Sequence, residues 1–231
     1  MASYTYYVFN LFVFIPVLLI DVLKKVGVWR QWKQLGLAYL IVSLPFVLWD
    51  VWAAQSGHWL FSERYITSFR LAHLPIEEIL FFVTVPYAMM FVWEVIKIHV
   101  VQRTVLRAKL IKNVLILLAG ACVIFAVVYV ERAYTRSAFL VAGLTCISLA
   151  LWTRLYSSIR FWYFQAALLG AFLLSNTFLT ALPVILYGSS AIIGYRVGTI
   201  PLEDFFFNFS LITLFVVVYE RCSVKKLKRE R

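Results

Sequence analysis

The 231-residue chain is 63% hydrophobic and only 14% charged, and its mean hydropathy of +0.87 excludes an ordinary soluble domain. A net charge of +11 could suggest a nucleic-acid partner, but the basic residues flank long apolar stretches, which suits an anionic membrane surface instead. Three cysteines and three histidines are scattered without metal-ligand spacing, which argues against a disulfide framework or a zinc site.

Long apolar stretches follow one another along the whole chain. A membrane-spanning helix needs about 20 apolar residues, and the sequence predicts seven in chain order, at about 4–22, 34–54, 72–96, 112–130, 137–155, 161–183 and 201–220. The first stretch has no basic residue before it and several after it, unlike a cleavable signal peptide. Because the connections are short, we expect one all-α integral membrane domain over residues 1–231.

The distribution of basic residues predicts the orientation of these helices. If the N-terminus lies outside and the helices alternate, 17 of the 22 Lys and Arg residues fall on the cytoplasmic side. These are Lys24, Lys25, Arg30, Lys33, Lys97, Arg103, Arg107, Lys109, Lys112, Arg154, Arg160, Arg221, Lys225, Lys226, Lys228, Arg229 and Arg231. The positive-inside rule therefore predicts an N-terminus outside, a cytoplasmic C-terminus and a multi-pass protein of the plasma or inner cell membrane.

An internal repeat relates the two ends of the chain. Pro75 and Pro201 are 126 residues apart, as are Glu77 and Glu203, and "RQWKQLGLAYL" at 30–40 resembles "RFWYFQAALLG" at 160–170. Two three-helix repeats in the same orientation require one extra crossing between them. We therefore predict a 3+1+3 pseudo-repeat, in which 1–97 and 136–231 are the repeats and 98–135 carries the linking fourth helix.

Each repeat begins its third helix with a proline, two acids and a run of phenylalanines, in "PIEEILFF" and "PLEDFFF". The repeat places Glu77, Glu78, Glu203 and Asp204 at one depth near the outer end of the bundle. Proline and acids also favour a helix N-terminus, so simple helix capping is the alternative for either motif alone. Recurrence of the acid pair together with the phenylalanines favours a functional site.

Other polar residues occur in the spans near the same depth. A carboxylate in hydrocarbon costs about 2.5–3.5 kcal/mol and normally faces the bundle interior, which makes Asp50 a site candidate. The alternatives are a structural hydrogen bond between helices and a side chain that reaches to the outer interface. Asn176 and Thr180 are four residues apart and share a helix face. The remaining acids at helix ends, which we interpret as interfacial ion partners of nearby cations, are Asp21, Glu94 and Glu220.

The acid cluster and the phenylalanines together indicate a type of chemistry. Burial and crowding of like charges favour protonated carboxyl groups, so acids and bases can coexist in one cluster. The rings of Phe81, Phe82, Phe206 and Phe207 offer π faces that stabilise a passing cation. Such a chamber suits protonation of an alkene and handling of a carbocation. The alternative is that the aromatic residues of the chain serve in packing and in aromatic belts at the membrane surface. The alternative from another class is a 3+1+3 small-molecule carrier, which should hold its polar residues near the midplane.

The segments "LPIEEILFF" and "NTFLTALPVILYGSSAIIGYRVGTIPLEDFFFNFSLI" resemble the two halves of the membrane-type lycopene cyclases of bacteria, archaea and fungi. In that family the halves occur as separate subunits, as one fused chain, or fused to phytoene synthase. This chain resembles the stand-alone fused form over nearly all its length. No GxGxxG fingerprint of a flavin-dependent cyclase is present.

The resemblance implies a lycopene β-cyclase that converts the linear ψ ends of lycopene to β rings without redox change, through γ-carotene to β-carotene. Family members with other outcomes form ε or γ rings or act on C50 carotenoids, and this alternative stays open. The motif positions Glu77, Glu78, Glu203 and Asp204 are expected to supply the general acid and base, in an order that the sequence leaves open. The expected supporting residues are Asp50, Asn176, Thr180, Pro75, Pro201, Phe81, Phe82, Phe206 and Phe207.

We expect no metal and no cofactor, although a requirement for reduced flavin or lipid stays open. The expected partners are lycopene and membrane lipid but no nucleic acid. Association with other carotenoid-pathway enzymes, or with a second copy of the chain, is also left open.

Overall fold

Seven long helices form the body of the protein, which confirms the predicted number of spans. A computed structural model describes the backbone of residues 4–229 and the side chains of residues 4–223. In this part of the chain the helices are α1 (Thr5–Leu23), α2 (Trp29–Gln55), α3 (Ile76–His99), α4 (Ala108–Val128), α5 (Ala133–Trp152), α6 (Ile159–Ala181) and α7 (Leu202–Arg229). All seven are long and apolar enough to cross a membrane.

The orientation of the chain in the membrane stays a prediction. Five basic residues that contribute to it have side chains outside the described part of the structure. They are Lys225, Lys226, Lys228, Arg229 and Arg231.

Helix α2 continues past a proline by way of a π turn. Pro45 has no N–H to donate to the preceding turn. Just before it, Tyr39–Ser43 form a π turn, and the N–H of Leu44 donates to the carbonyl of Tyr39. Such single-turn bulges let a helix continue where the regular hydrogen-bond ladder is interrupted. As a result α2 reaches Gln55 and carries Asp50 close to its end.

The connections before α3 and α7 are longer than expected and contain short β ladders that the sequence did not predict. Among the described residues, β1 (Trp59–Phe61) pairs antiparallel with β4 (Ile185–Tyr187). In addition, β2 (Arg70–Leu71) pairs with β3 (Leu74–Pro75), and β5 (Arg196–Val197) pairs with β6 (Ile200–Pro201). All three ladders lie at one end of the bundle, which we call the ladder end. The β1–β4 pair joins the two connections directly.

The helices pack in matched pairs. Helix α1 packs on α3 as α5 packs on α7, and α2 packs on α7 as α6 packs on α3. The hairpins β2–β3 and β5–β6 lead into α3 and α7 in the same way. These matched contacts support the proposal that 1–97 and 136–231 are two copies of one three-helix unit.

Helix α4 lies outside the matched pairs and packs mainly against α5. The two helices approach closely at Gly143, where an added Cβ would lie 3.3 Å from the carbonyl oxygen of Ala119. Close approach through small residues is a common way for helices to associate in a membrane. The core between the other helices holds fully buried large side chains, among them Phe82, Phe164 and Phe215.

The interpretation of Asp21 as an interfacial ion partner is wrong. Asp21 is fully buried, and its carboxylate accepts hydrogen bonds from the backbone N–H groups of Gly27, Val28 and Trp29 at 2.7, 3.0 and 2.9 Å. The hydroxyl of Tyr87 donates a fourth bond at 2.6 Å. Asp21 therefore anchors the turn between α1 and α2.

Glu94 and Glu220 are ion partners, as expected. The Nζ atom of Lys97 lies 2.8 Å from Oε1 of Glu94 and 2.7 Å from Oε1 of Glu220. The shared lysine ties the far ends of α3 and α7 together, away from the ladder end.

Candidate active site

A cavity opens among α3, α6 and α7, with residues of β1 and β4 lining its ladder end, and has about 790 Å³ of space between its lining atoms, including its open mouth. The side chains that line its ladder end are mostly polar or acidic: Tyr6, Asp50, Trp59, Glu78, Tyr134, Asn176, Tyr187 and Asp204. The side chains deeper in the bundle are mostly apolar, including Val85, Met89, Leu168, Phe172 and Leu211. The cavity is therefore an apolar pocket with titratable groups gathered at one end.

Helix geometry separates the two members of each acidic pair. Successive residues of an α-helix point about 100° apart, since 3.6 residues complete a turn. Pro75 ends the hairpin, and α3 begins at Ile76, so Glu77 and Glu78 lie in the first turn and face different directions. Helix α7 begins at Leu202 in the same way. As a result Glu78 and Asp204 line the cavity, whereas Glu77 and Glu203 do not.

Glu77 and Glu203 are fully buried and bind the connections at the ladder end. Oε1 of Glu77 accepts the backbone N–H of Thr67 at 2.7 Å. Oε1 of Glu203 accepts the backbone N–H of Ile193 at 2.9 Å and the hydroxyl of Thr135 at 2.5 Å. The Oε2 atoms of both glutamates are buried without a hydrogen-bond partner among the described residues. These bonds hold matching segments of the two connections against the starts of α3 and α7.

Glu78 and Asp50 form the acidic side of the cavity contributed by the first repeat. Oε2 of Glu78 accepts a hydrogen bond from the hydroxyl of Tyr6 at 2.7 Å. Oδ1 of Asp50 accepts one from Nε1 of Trp59 at 2.6 Å, and its Oδ2 is buried without a partner in the described part of the chain. Between them, these two buried carboxyl groups accept only two side-chain hydrogen bonds from the described residues.

Asp204 is bound by three donors from three elements. Its Oδ1 accepts the hydroxyl of Tyr134 at 2.7 Å. Its Oδ2 accepts Nδ2 of Asn176 at 2.9 Å and the hydroxyl of Tyr187 at 2.6 Å. Burial and the adjacent charge of Asp204 hold the pKa of the Tyr187 hydroxyl well above its usual range, so Tyr187 stays a donor. Several hydrogen bonds to one carboxylate stabilise its ionised form.

Aromatic rings form much of the wall next to the acids. The ring of Tyr134 stacks on Tyr187 with centroids 6.1 Å apart and meets Trp59 edge-on at 4.8 Å. Phe207 lines the cavity and packs against Trp49, which lies outside the lining, with their ring centroids 5.0 Å apart. Ring faces of this kind attract positive charge, so the wall suits a cationic species beside the carboxylates.

The supporting residues predicted from the sequence divide into two groups. Those that line the cavity are Asp50, Asn176, Phe81 and Phe207. Those that lie outside its lining are Phe82, Phe206, Thr180, Pro75 and Pro201. Phe206 packs on Phe139 with centroids 4.2 Å apart, and the Thr180 hydroxyl donates to the carbonyl of Asn176 at 2.7 Å. The two prolines end strands β3 and β6 and thereby set where α3 and α7 begin.

Four residues that contact the acids were not predicted from the sequence, namely Tyr6, Trp59, Tyr134 and Tyr187. Tyr6 and Tyr134 occupy the first turns of α1 and α5, and bind Glu78 and Asp204 in matching ways. Their separation of 128 residues is close to the repeat offset, and comparing the starts of α1 and α5 could have identified them. In the described part of the chain, no group of three or more His, Cys, Asp or Glu side chains is placed to hold a metal ion.

Comparison with known proteins gives one family match. A family model described as "Lycopene cyclase" matches residues 3–96 and 131–222. These two segments contain α1, α2, α5 and α6 and most of α3 and α7, and residues 97–130 between them contain α4. In the other two comparisons, no curated protein and no solved structure matches the chain.

Proposed function

The chain belongs to the lycopene cyclase family, and we propose that it is a lycopene β-cyclase that closes a ring at each ψ end of its substrate. The observation that carries this proposal is the placement of Glu78 and Asp204, from matching positions of α3 and α7, in the wall of one apolar cavity. A carrier would need polar groups accessible from both sides of the membrane, whereas the titratable groups that line this cavity gather at its ladder end.

The shape of the cavity suits one end of a linear polyene. Its α3 lining runs from Glu78 to Met89, which corresponds to about 16 Å at about 1.5 Å per residue. The apolar part of the cavity, deeper in the bundle, would hold part of the polyene. The ψ end would lie among the acids at the ladder end. Because the cavity takes one end, we propose that the two ends react in turn, with a monocyclic carotene between the two reactions.

The proposed reaction conserves atoms and electrons. A carboxylic acid protonates the terminal double bond of the ψ end and leaves a tertiary carbocation. The neighbouring double bond attacks this cation, and a new carbon–carbon bond closes a six-membered ring with the positive charge on a ring carbon. Loss of a proton from the adjacent ring carbon restores a double bond and gives the β ring. The product is an isomer of the substrate.

We propose that Glu78 is the general acid. It accepts one hydrogen bond from Tyr6, and Asp50 is a second carboxyl group in the same wall. Two adjacent buried carboxyl groups disfavour double ionisation, which keeps a proton available for transfer. Asp50 is then a positioning residue, held in place by Trp59.

We propose that Asp204 is the ionised partner that stabilises the cation and accepts the proton. Its three donors stabilise the negative charge without occupying every lone pair of the carboxylate, which has about four acceptor sites. Its negative charge and the surrounding rings would stabilise a cation in a site with little water. Glu77 and Glu203 would act as positioning residues that anchor the connections over the cavity.

Expression in a lycopene-accumulating bacterium, followed by chromatography and mass spectrometry of the pigments, tests this function. We expect lycopene to be replaced by a bicyclic isomer with the retention time of the β,β product. Persistence of lycopene despite abundant membrane-inserted protein would refute the proposal. A product with ε or γ rings, or conversion of a C50 substrate alone, would keep the family and replace the specific reaction.

A further inference from the structure

A second pocket opens at the end of the bundle opposite the ladders. It lies between the end of α3, the connection from α5 to α6, and α7, with about 1170 Å³ of space between its lining atoms, including its open mouth. Its charged lining consists of Lys97, Arg154, Arg160, Arg221 and a single acid, Glu220. We call it the arginine pocket. Its cations outnumber its acids, so its lining carries a net positive charge.

The positive charge in this pocket resides mainly on the arginines. Lys97 is neutralised by ion pairs to Glu94 and Glu220. The side chain of Arg154 has no hydrogen bond or ion pair with any residue that the structure describes. Arg160 uses Nε to bind the carbonyl of Val100 at 2.7 Å, which leaves both of its Nη groups available.

Arg221 also keeps donors available. One of its Nη groups donates to the carbonyl of Trp152, and the rest of the guanidinium makes no other hydrogen bond within the described chain. Three guanidinium groups with free donors therefore line one opening. A planar guanidinium fork matches the oxygen geometry of phosphate and can bind it with two parallel hydrogen bonds.

We propose that the arginine pocket binds the phosphate group of an anionic membrane phospholipid. A soluble phosphate shares this chemistry, but two features favour the lipid. The arginines lie where α3 ends, α6 begins and the apolar span of α7 ends, at the level expected for headgroups. Apolar side chains of Trp152, Leu155 and Val217 line the same pocket and suit the glycerol and upper acyl chain. The same three helices line the cavity that contains Glu78 and Asp204. A bound lipid would therefore hold these helices together at the end opposite the ladders.

A binding titration on the full-length protein in neutral detergent tests this inference independently of cyclase activity. Three probes distinguish a lipid phosphate from a soluble phosphate and from the apolar part of a lipid. They are dioctanoyl phosphatidylglycerol, dioctanoylglycerol without phosphate, and inorganic phosphate without lipid. The readout is the unfolding temperature at increasing probe concentration, because a ligand of the folded state raises it in a saturable way. We expect a saturable rise with phosphatidylglycerol and a clearly smaller one with the other two.

Variants locate the site. In Arg154→Gln/Arg160→Gln, we expect the apparent affinity for phosphatidylglycerol to fall by about tenfold or more, which is the scale of losing one charge-assisted contact. Arg154→Gln alone, which breaks no internal bond, should weaken it by about threefold or more. The control Arg107→Gln/Lys109→Gln removes the same charge at the same end outside the pocket and should bind as the wild type does.

Two results would overturn phosphate recognition by the pocket, and a third would overturn the lipid as the source of the phosphate. One is a double pocket variant that responds to phosphatidylglycerol as the wild type and the control do. The other is dioctanoylglycerol stabilising the protein as well as phosphatidylglycerol does, since phosphate would then not be recognised. If inorganic phosphate stabilises equally and competes with the lipid, the phosphate site stands but the lipid source is rejected.

Discussion

Tyr134 donates its hydroxyl hydrogen to Oδ1 of Asp204 across 2.7 Å, and Tyr6 makes the matching 2.7 Å bond to Oε2 of Glu78. The other hydrogen bonds of the two carboxyl groups differ, because Asp204 accepts two further bonds and Glu78 accepts no other from the described residues. Matching positions of two similar units thus place their carboxyl groups in different surroundings. This difference is the basis for proposing an acid at Glu78 and an ionised partner at Asp204.

Removing one donor from Asp204 should slow cyclisation without unfolding the protein. A hydrogen bond to a charged group contributes about 1.5–3 kcal/mol, so we expect Tyr187→Phe to lower the initial rate by about tenfold or more. The rate is measured on membranes with lycopene in detergent micelles. Tyr195→Phe is the control, because this side chain belongs to the same connection and is 63% exposed. A wild-type rate in Tyr187→Phe would contradict the proposed role of its hydroxyl.

Glu203→Gln should affect stability more than chemistry. Glutamine keeps an oxygen for Thr135 and Ile193, but its amide group would be buried where Oε2 already has no partner in the described chain. We expect a loss of about 1–3 kcal/mol in unfolding free energy, with more than about a tenth of the cyclase rate retained. Thermal unfolding and activity are measured on the same preparation. Complete loss of cyclisation at unchanged stability would instead place Glu203 in the reaction.

Gly188→Ala should weaken the contact between the connection that precedes α3 and the connection that precedes α7. A Cβ at this position would lie 2.7 Å from the carbonyl oxygen of Gly57, which is backbone and cannot move aside cheaply. We expect a destabilisation of about 1–3 kcal/mol, read as a lower unfolding temperature. Gly170→Ala serves as the control, because the added methyl would meet no heavy atom within 4 Å beyond its chain neighbours and the backbone of its own helix. Equal unfolding temperatures for the two variants would argue against a close contact between Gly188 and Gly57.

His58 predicts a pH dependence of stability. This residue lies between α2 and β1, outside the spans, and burial together with the charge of Arg136 holds its pKa below 6.5. The unfolded chain therefore binds a proton at a higher pH than the folded one. The stability contribution is complete above about pH 6.5 and is lost as the pH falls through the folded-state pKa.

Between about pH 7 and pH 5, we expect the unfolding temperature of the wild type to fall by more than that of His58→Gln, because glutamine at position 58 does not titrate. Parallel profiles for the two proteins would show that another group carries the pH dependence.

The seven spans could be predicted because apolar length is a local property of the sequence. The second span shows the limit: it was expected to begin at 34, but the helix begins at Trp29, since interfacial residues can extend a helix beyond its apolar part. The β ladders could not be predicted, because strands of two or three residues carry no periodic signal. Their key pair, Trp59 with Tyr187, joins residues far apart in the sequence.

The acidic motifs could be identified from the sequence, but which acid of each pair lines the cavity could not be predicted. Glu77 and Glu78 are neighbours of the same residue type, and only the rotation of α3 about its axis decides which one faces the cavity. Tyr187 was missed because it reaches Asp204 from a strand whose position depends on pairing with β1. Asp21 was misread since nearby lysines suggested an ion pair, whereas the folded turn supplies backbone donors.

The most direct test of the account is the carotenoid content of lycopene-accumulating bacteria that express the wild type, Glu78→Gln or Asp204→Asn at matched levels of membrane-inserted protein. Both substitutions preserve shape and remove the ability to exchange a proton, and acid–base catalysis contributes about 10²–10⁴-fold. We expect a bicyclic product from the wild type and unconverted lycopene from both variants. Bicyclic product at the wild-type level from either variant would contradict it.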